Sequence, residues 1–77
     1  MFALHQAVVI TQDIPKSGLQ SGDLGAVVAI LDSEHYEVEF VAASGRTQSL
    51  LTLSAADLRA IGDRDLIAVR SLEAAVR

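Results

Sequence analysis

The chain has no cysteine, so disulfides and thiolate metal sites are excluded and the fold must be held by its core or by a partner. Aromatic residues make up only 4% of the 77 positions, lysine and arginine together number six, and there is a single proline. No apolar run approaches the roughly 20 residues that a membrane-spanning helix needs. Met1-Phe2-Ala3-Leu4 lacks a basic leader, and His5-Gln6 interrupts the apolar start before a helix could form, so no targeting segment is expected. Together these absences point to the cytoplasm, with no membrane contact. No Gly-Lys-Ser or Gly-Lys-Thr is present, and no serine sits in a nucleophile-elbow pattern, so the common phosphate-binding and hydrolase signatures are missing.

What the chain does have is aliphatic content. Hydrophobic residues are 51% of the total, mostly Ala, Val, Leu and Ile, which is the composition of a packed domain and not of a disordered tail. At 77 residues it makes one small domain whose core is modest, so every large apolar side chain matters. The net charge of −4 is uneven. Before residue 62 the bases are Lys16, Arg46 and Arg59, against Asp13, Asp23, Asp32, Glu34, Glu37, Glu39 and Asp57; after it Arg64, Arg70 and Arg77 balance Asp63, Asp65 and Glu73.

The organising stretch runs from Leu19 to Leu31, where a glycine-punctuated loop enters the longest apolar run. Gly22 and Gly25 stand where the backbone turns into a sheet, a place where positive φ is expected. Residues 26–31 are the best strand, rich in β-branched side chains and free of breakers. Residues 7–11 form an earlier strand, stopped before Pro15. The loop between them, residues 13–23, is long, and its apolar Ile14 and Leu19 are expected to fold back onto the core. Asp32-Ser33-Glu34-His35 suits a hairpin turn. Tyr36-Glu37-Val38-Glu39-Phe40-Val41 then alternates with period two, placing Tyr36, Val38 and Phe40 inside and Glu37 and Glu39 in water. A second hairpin at Ala43-Ser44-Gly45-Arg46 leads to a fourth strand over residues 47–53.

Ser54-Ala55-Ala56-Asp57 reads as a capping box around one helical or 3₁₀ turn, with the Ser54 hydroxyl accepting from the Asp57 amide. Residues 58–61 follow as a short closing strand. Residues 66–70 read as a last strand in preference to an amphipathic helix over 63–77, because Ile67 lies off the helical stripe, with frayed or weakly helical residues beyond. The whole describes a mostly β chain: a small antiparallel barrel of about five strands with a short helical turn before the closing strand. Residues 62–77 form a C-terminal extension packing on the barrel or on a neighbouring chain.

Asp13-Ile14-Pro15, Gly22-Asp23-Leu24-Gly25-Ala26-Val27, Tyr36-Glu37-Val38-Glu39-Phe40, Gly45-Arg46-Thr47, Leu51-Thr52-Leu53 and Asp57-Leu58-Arg59, taken in order, resemble the domain-of-unknown-function 4926 family of small bacterial proteins similar to SH3-like barrels. The resemblance covers roughly residues 5 to 70 and implies five antiparallel strands; it carries no established activity. Ala60 departs from it, standing where the family often carries Arg-Pro.

Candidate chemistry is sparse. His5 and His35 are far apart and lack partners at metal or general-base spacing. Glu37 and Glu39 are spaced as a solvated strand face requires. Ser17-Gly18-Leu19-Gln20-Ser21-Gly22-Asp23 could converge amides on an anion, but Asp23 would oppose one. The acidic barrel argues against nucleic acid, which needs clustered Lys and Arg. The expectation is therefore no enzyme and no cofactor, but a protein-protein interaction module, an accessory or regulatory partner of another bacterial protein. The alternatives are a nucleic-acid-binding barrel, or a ligand- or metal-handling accessory domain similar to the small-barrel subunit of nitrile hydratases. Residues 7–10 and 26–31 are apolar on both faces, so a patch from Val9, Val28, Ile30, Leu66, Ile67 and Val69 is expected to build a homo-oligomer or receive a protein partner.

Overall fold

Tyr36, Val38 and Phe40 are the centre of the fold, with relative exposures of 0%, 0% and 3%. They sit on β3 (His35–Val41), whose alternation of apolar and acidic residues gives the sheet its inner and outer sides. In the computed structural model, which describes residues 1–72, β3 lies between β2 (Leu24–Ile30) and β4 (Thr47–Ser54). β1 (Ala7–Ile10) pairs with β2, and β5 (Leu58–Ala60) pairs with β1, all antiparallel, in the order β4-β3-β2-β1-β5. A long loop follows β1, tight connections join β2 to β3 and β3 to β4, and a 3₁₀ turn at Ala55–Asp57 precedes β5. This is the mostly β domain of five antiparallel strands, with a short helical turn before the last, that the sequence leads one to expect, although β4 and β5 remain the two edges of the sheet and do not pair with each other.

Val8 and Ile10 of β1, Val27 of β2, Leu58 of β5 and Leu19 of the long loop close around the β3 residues, and Ile14, Leu51 and Leu53 pack on this cluster. Leu19 and Ile14 fold back as expected: they bridge each other, and a 3₁₀ turn at Pro15–Ser17 lies between them. Burying such side chains contributes about 1.5–3 kcal/mol each.

The two loop glycines have different reasons. Gly22 does take a left-handed backbone, φ 98°, whereas Gly25 has ordinary strand geometry, which corrects the positive φ expected there. Gly25 is needed for closeness: a Cβ at that position would stand 2.7 Å from Val38 Cγ1, 2.9 Å from Phe40 Cε2 and 3.0 Å from the Glu39 carbonyl oxygen.

Two further expectations are corrected. Residues 66–70 form no strand: they run without helix, turn or bend and join no ladder. The Ser54 hydroxyl accepts from the Ala56 amide (3.2 Å), one residue short of a capping box, because the turn is a single 3₁₀ turn and brings Ala56 closest. The β2–β3 register shifts between Val27 and Ala29, a bulge that leaves Val28 without a partner and sets Ile30 opposite Tyr36. Val28 and Ile30 nevertheless both stay exposed, at 37% and 49%, as expected of outward members of this strand. The frayed or helical end expected beyond residue 70 lies mostly outside the described residues.

Candidate interaction surface

The glycine-rich loop after β1 uses its amides internally. Gln20 N–H donates to Asp23 Oδ2 and Ser21 N–H to Asp13 Oδ1, both at 2.8 Å. The amides of Ser17, Gly18, Leu19, Gly22 and Asp23 donate to backbone carbonyls of Ile14, Pro15, Ile14, Ile10 and Gln20 respectively. Nothing remains to converge on an anion, and two of the acceptors are carboxylates. The loop is a structural element shaped by Asp13 and Asp23.

Asp23 also holds the C-terminal segment. Arg70 donates Nε to Asp23 Oδ1 (2.9 Å) and Nη2 to Asp23 Oδ2 (2.6 Å), and Nη2 also reaches the Gly18 carbonyl oxygen (2.9 Å). The Arg70 hydrogen bonds hold the Asp23 carboxyl below its ordinary value, against partial burial, with the Gln20 amide helping. Nearer β5 a second bidentate pair forms, Arg59 Nη1 to Asp65 Oδ2 (2.9 Å) and Nη2 to Oδ1 (3.0 Å). The Gly62 amide adds a bond of 2.7 Å to Asp65 Oδ2. Arg59 first, and Gly62 second, lower the Asp65 carboxyl from 3.8 to about 2. Residues 61–72 thus form a strap pinned at Asp65 and Arg70.

Between its pins the strap presents Leu66, Ile67 and Val69 with exposures of 91%, 70% and 96%. The expected patch residues are not all where alternation places them. Val9 lies opposite Leu24 and Arg59 on the outer face but is only 7% exposed, so it is removed from any surface patch. It lines a small cleft of about 130 Å³ with Ile61, Leu66, Ile67 and Ala68: the strap covers it. Val28 and Ile30 remain partly exposed, but toward the far end of β2, roughly 20 Å from Leu24 at about 3.3 Å per residue for Ile30. The single expected patch divides into the strap and the β2 end.

One feature escaped the sequence reading. β4 is an edge of the sheet, and its sequence, Thr-Gln-Ser-Leu-Leu-Thr-Leu-Ser, holds no charge, proline or glycine. Ala55 N–H donates to the Glu34 carbonyl, and with Leu53 opposite Tyr36 this phase turns the amides of Ser49, Leu51 and Leu53 toward β3. Leu50 and Thr52 therefore present their backbone groups on the open side, and Leu50 is 54% exposed. The missing charges were a readable signal, since exposed edges are ordinarily guarded by charge or proline.

The polar candidates stay apart. His35 Nδ1 lies 2.9 Å from Asp32 Oδ1 in the β2–β3 turn, and His5 sits before β1 with φ 70°. The Glu34 amide first, then His35, lowers the Asp32 carboxyl. Glu37 and Glu39 are half-buried, accepting from Thr52 Oγ1 and Thr47 Oγ1 across to β4, so they are less open to water than expected. No group of three or more His, Cys, Asp or Glu among the described residues could hold a metal ion. No helix of the described residues is long and apolar enough to cross a membrane.

Sheet order, long loop and closing 3₁₀ turn define a domain of one five-stranded antiparallel sheet carrying a pinned strap. The chain belongs to the family described as a domain of unknown function, DUF4926, which matches residues 4–60. That match ends with β5, short of the residue 70 that the resemblance suggests, so the strap lies beyond it. No curated protein and no solved structure matches the chain.

Proposed function

We propose that this protein is a non-enzymatic protein-interaction module of the cytoplasm, working by contact as an accessory or regulatory partner. The observation that carries the reading is the strap: Leu66, Ile67 and Val69 are held outward between two ion pairs instead of folding onto the core. Exposing large apolar side chains on a restrained segment is unfavourable unless another surface covers them. The polar chemistry supports the same view, because the loop amides and the carboxylates of Asp13, Asp23 and Asp65 are engaged within the chain. Arg59 and Arg70 face carboxylates, which disfavours a nucleic-acid surface.

The test is a photo-crosslinking residue placed at Val69, at Leu50 and, as a control, at Ser44, in cells of the source organism. The module reading expects a discrete protein adduct, with the chain itself or with another protein, from Val69 or Leu50 and none from Ser44. Absence of any discrete adduct from either position overturns it.

A further inference from the structure

Two parts of the chain are each half of a β-ladder. Leu66-Ile67-Ala68-Val69 has strand-forming composition, yet no backbone hydrogen bond of residues 66–69 is made to any element among the described residues. β4 has an open edge along its eight residues, with Leu50 and Thr52 directed outward. Unpaired backbone groups on a strand edge are a template for another strand.

Within one chain the two halves are kept apart. Asp65 is bound to Arg59 of β5, and β5 is at the opposite edge of the sheet from β4. At the other pin, Arg70 grips Asp23 and the Gly18 carbonyl, while Gln48 at the start of β4 touches the same loop through the Ser17 carbonyl. Strap and β4 thus meet the same loop at neighbouring carbonyls without pairing with each other, and the pins fix both ends of residues 66–69.

We infer that residues 66–69 of one copy add as a strand to the β4 edge of a second copy, reciprocally, giving a two-fold dimer. This rests on the protein-interaction reading and names its partner as the chain itself. The occupant follows from charge and supply. The protein is net −4, and most surfaces of two copies repel, but residues 47–54 and 66–69 are uncharged and can meet without opposing like charges. Every copy carries both halves, so a closed pair leaves neither unsatisfied, as an isologous contact requires. The pairing also places Leu50 beside Ile67 or Val69, setting exposed apolar side chains of the two segments against each other.

Light scattering of the full chain at about 100 µM, far above a micromolar dissociation constant, is expected to give twice the 8.1 kDa of one chain. Ile67→Lys on the strap and Leu50→Lys on β4 are each expected to return the mass of a single chain with an unchanged circular dichroism spectrum, since both side chains are exposed. Because the chain has no cysteine, Leu50→Cys and Ile67→Cys chains can be mixed and oxidised, and the mixed 50–67 disulfide should dominate. A single-chain mass for the native protein overturns the inference, as does a dimer indifferent to both lysines. Exclusive 50–50 linkage also overturns it, showing β4 paired with β4. A single-chain mass accompanied by an adduct to a different protein leaves the module reading standing and removes only the second copy as its partner.

Discussion

Arg70 meets Asp23 across 47 residues of sequence with two hydrogen bonds, of 2.9 and 2.6 Å, at the point where the long loop enters β2. The carboxylate that caps the loop amide of Gln20 is the same one that pins the strap, so loop shape and strap position share one side chain.

Removing the arginine should therefore loosen both. The side chains of Arg70 and Asp23 are 30% and 18% exposed, between a surface pair, worth about 0–1 kcal/mol, and a buried one, whose breaking costs about 3–5 kcal/mol. Arg70→Gln is expected to lower stability by about 1–2 kcal/mol in urea denaturation. An unchanged midpoint would mean that the pair is too solvated to matter.

Acid should release the strap late. A carboxyl whose folded value is depressed adds stability that is present above its unfolded value and lost as pH falls through the folded one. For Asp65 that window runs from 3.8 down to about 2, set by Arg59 and the Gly62 amide. The Gly62 N–H resonance, bonded to Asp65 Oδ2, should titrate with a midpoint near 2. A midpoint at the ordinary carboxylate value would show that Arg59 does not hold Asp65 in solution.

Gly25 should tolerate no side chain. A Cβ there meets Val38, Phe40 and the Glu39 carbonyl oxygen within 3.0 Å, and the carbonyl belongs to the central strand and cannot swing aside. Gly25→Ala is expected to cost about 1–3 kcal/mol through overpacking. At Gly62 the nearest atom to an added Cβ is Asp65 Oδ2 at 3.7 Å, so Gly62→Ala should change stability by less than about 0.5 kcal/mol. Equal melting curves for the two variants would refute the packing argument.

Glu37 and Glu39 accept hydrogen bonds from threonines on β4. Glu37→Gln and Glu39→Gln keep an acceptor for Thr52 and Thr47, and each should shift stability by no more than about 0.5 kcal/mol. A loss of several kcal/mol in thermal denaturation would assign these carboxylates a structural charge.

β3 was legible because alternation of Tyr36, Val38 and Phe40 with two glutamates leaves only one face that can enter a core, and its neighbours follow from the two hairpins. The strap was not. Leu66-Ile67-Ala68-Val69-Arg70 has the composition of a strand, but a strand exists only where a partner edge is free, and here Arg70 commits the segment to Asp23 across the fold. The bulge at Val28 was equally hidden, because it depends on register against β3. Gly25 was marked as special by its position, while the reason, closeness to Val38 and not a left-handed backbone, needed the packed sheet.

Tyr36 is the chain's one tyrosine, and there is no tryptophan. Its hydroxyl accepts the Phe2 amide at 3.2 Å and its ring meets Phe2 edge-on at 5.3 Å between centroids, fully buried near the start of β3. The near-ultraviolet signal of this protein above the phenylalanine bands therefore comes from a single ring that touches the N-terminal segment and the core at once. It is a built-in optical reporter: detachment of residues 1–3 alone alters its polarity and asymmetry, while full unfolding abolishes its dichroism, so the two events can be separated without adding a label.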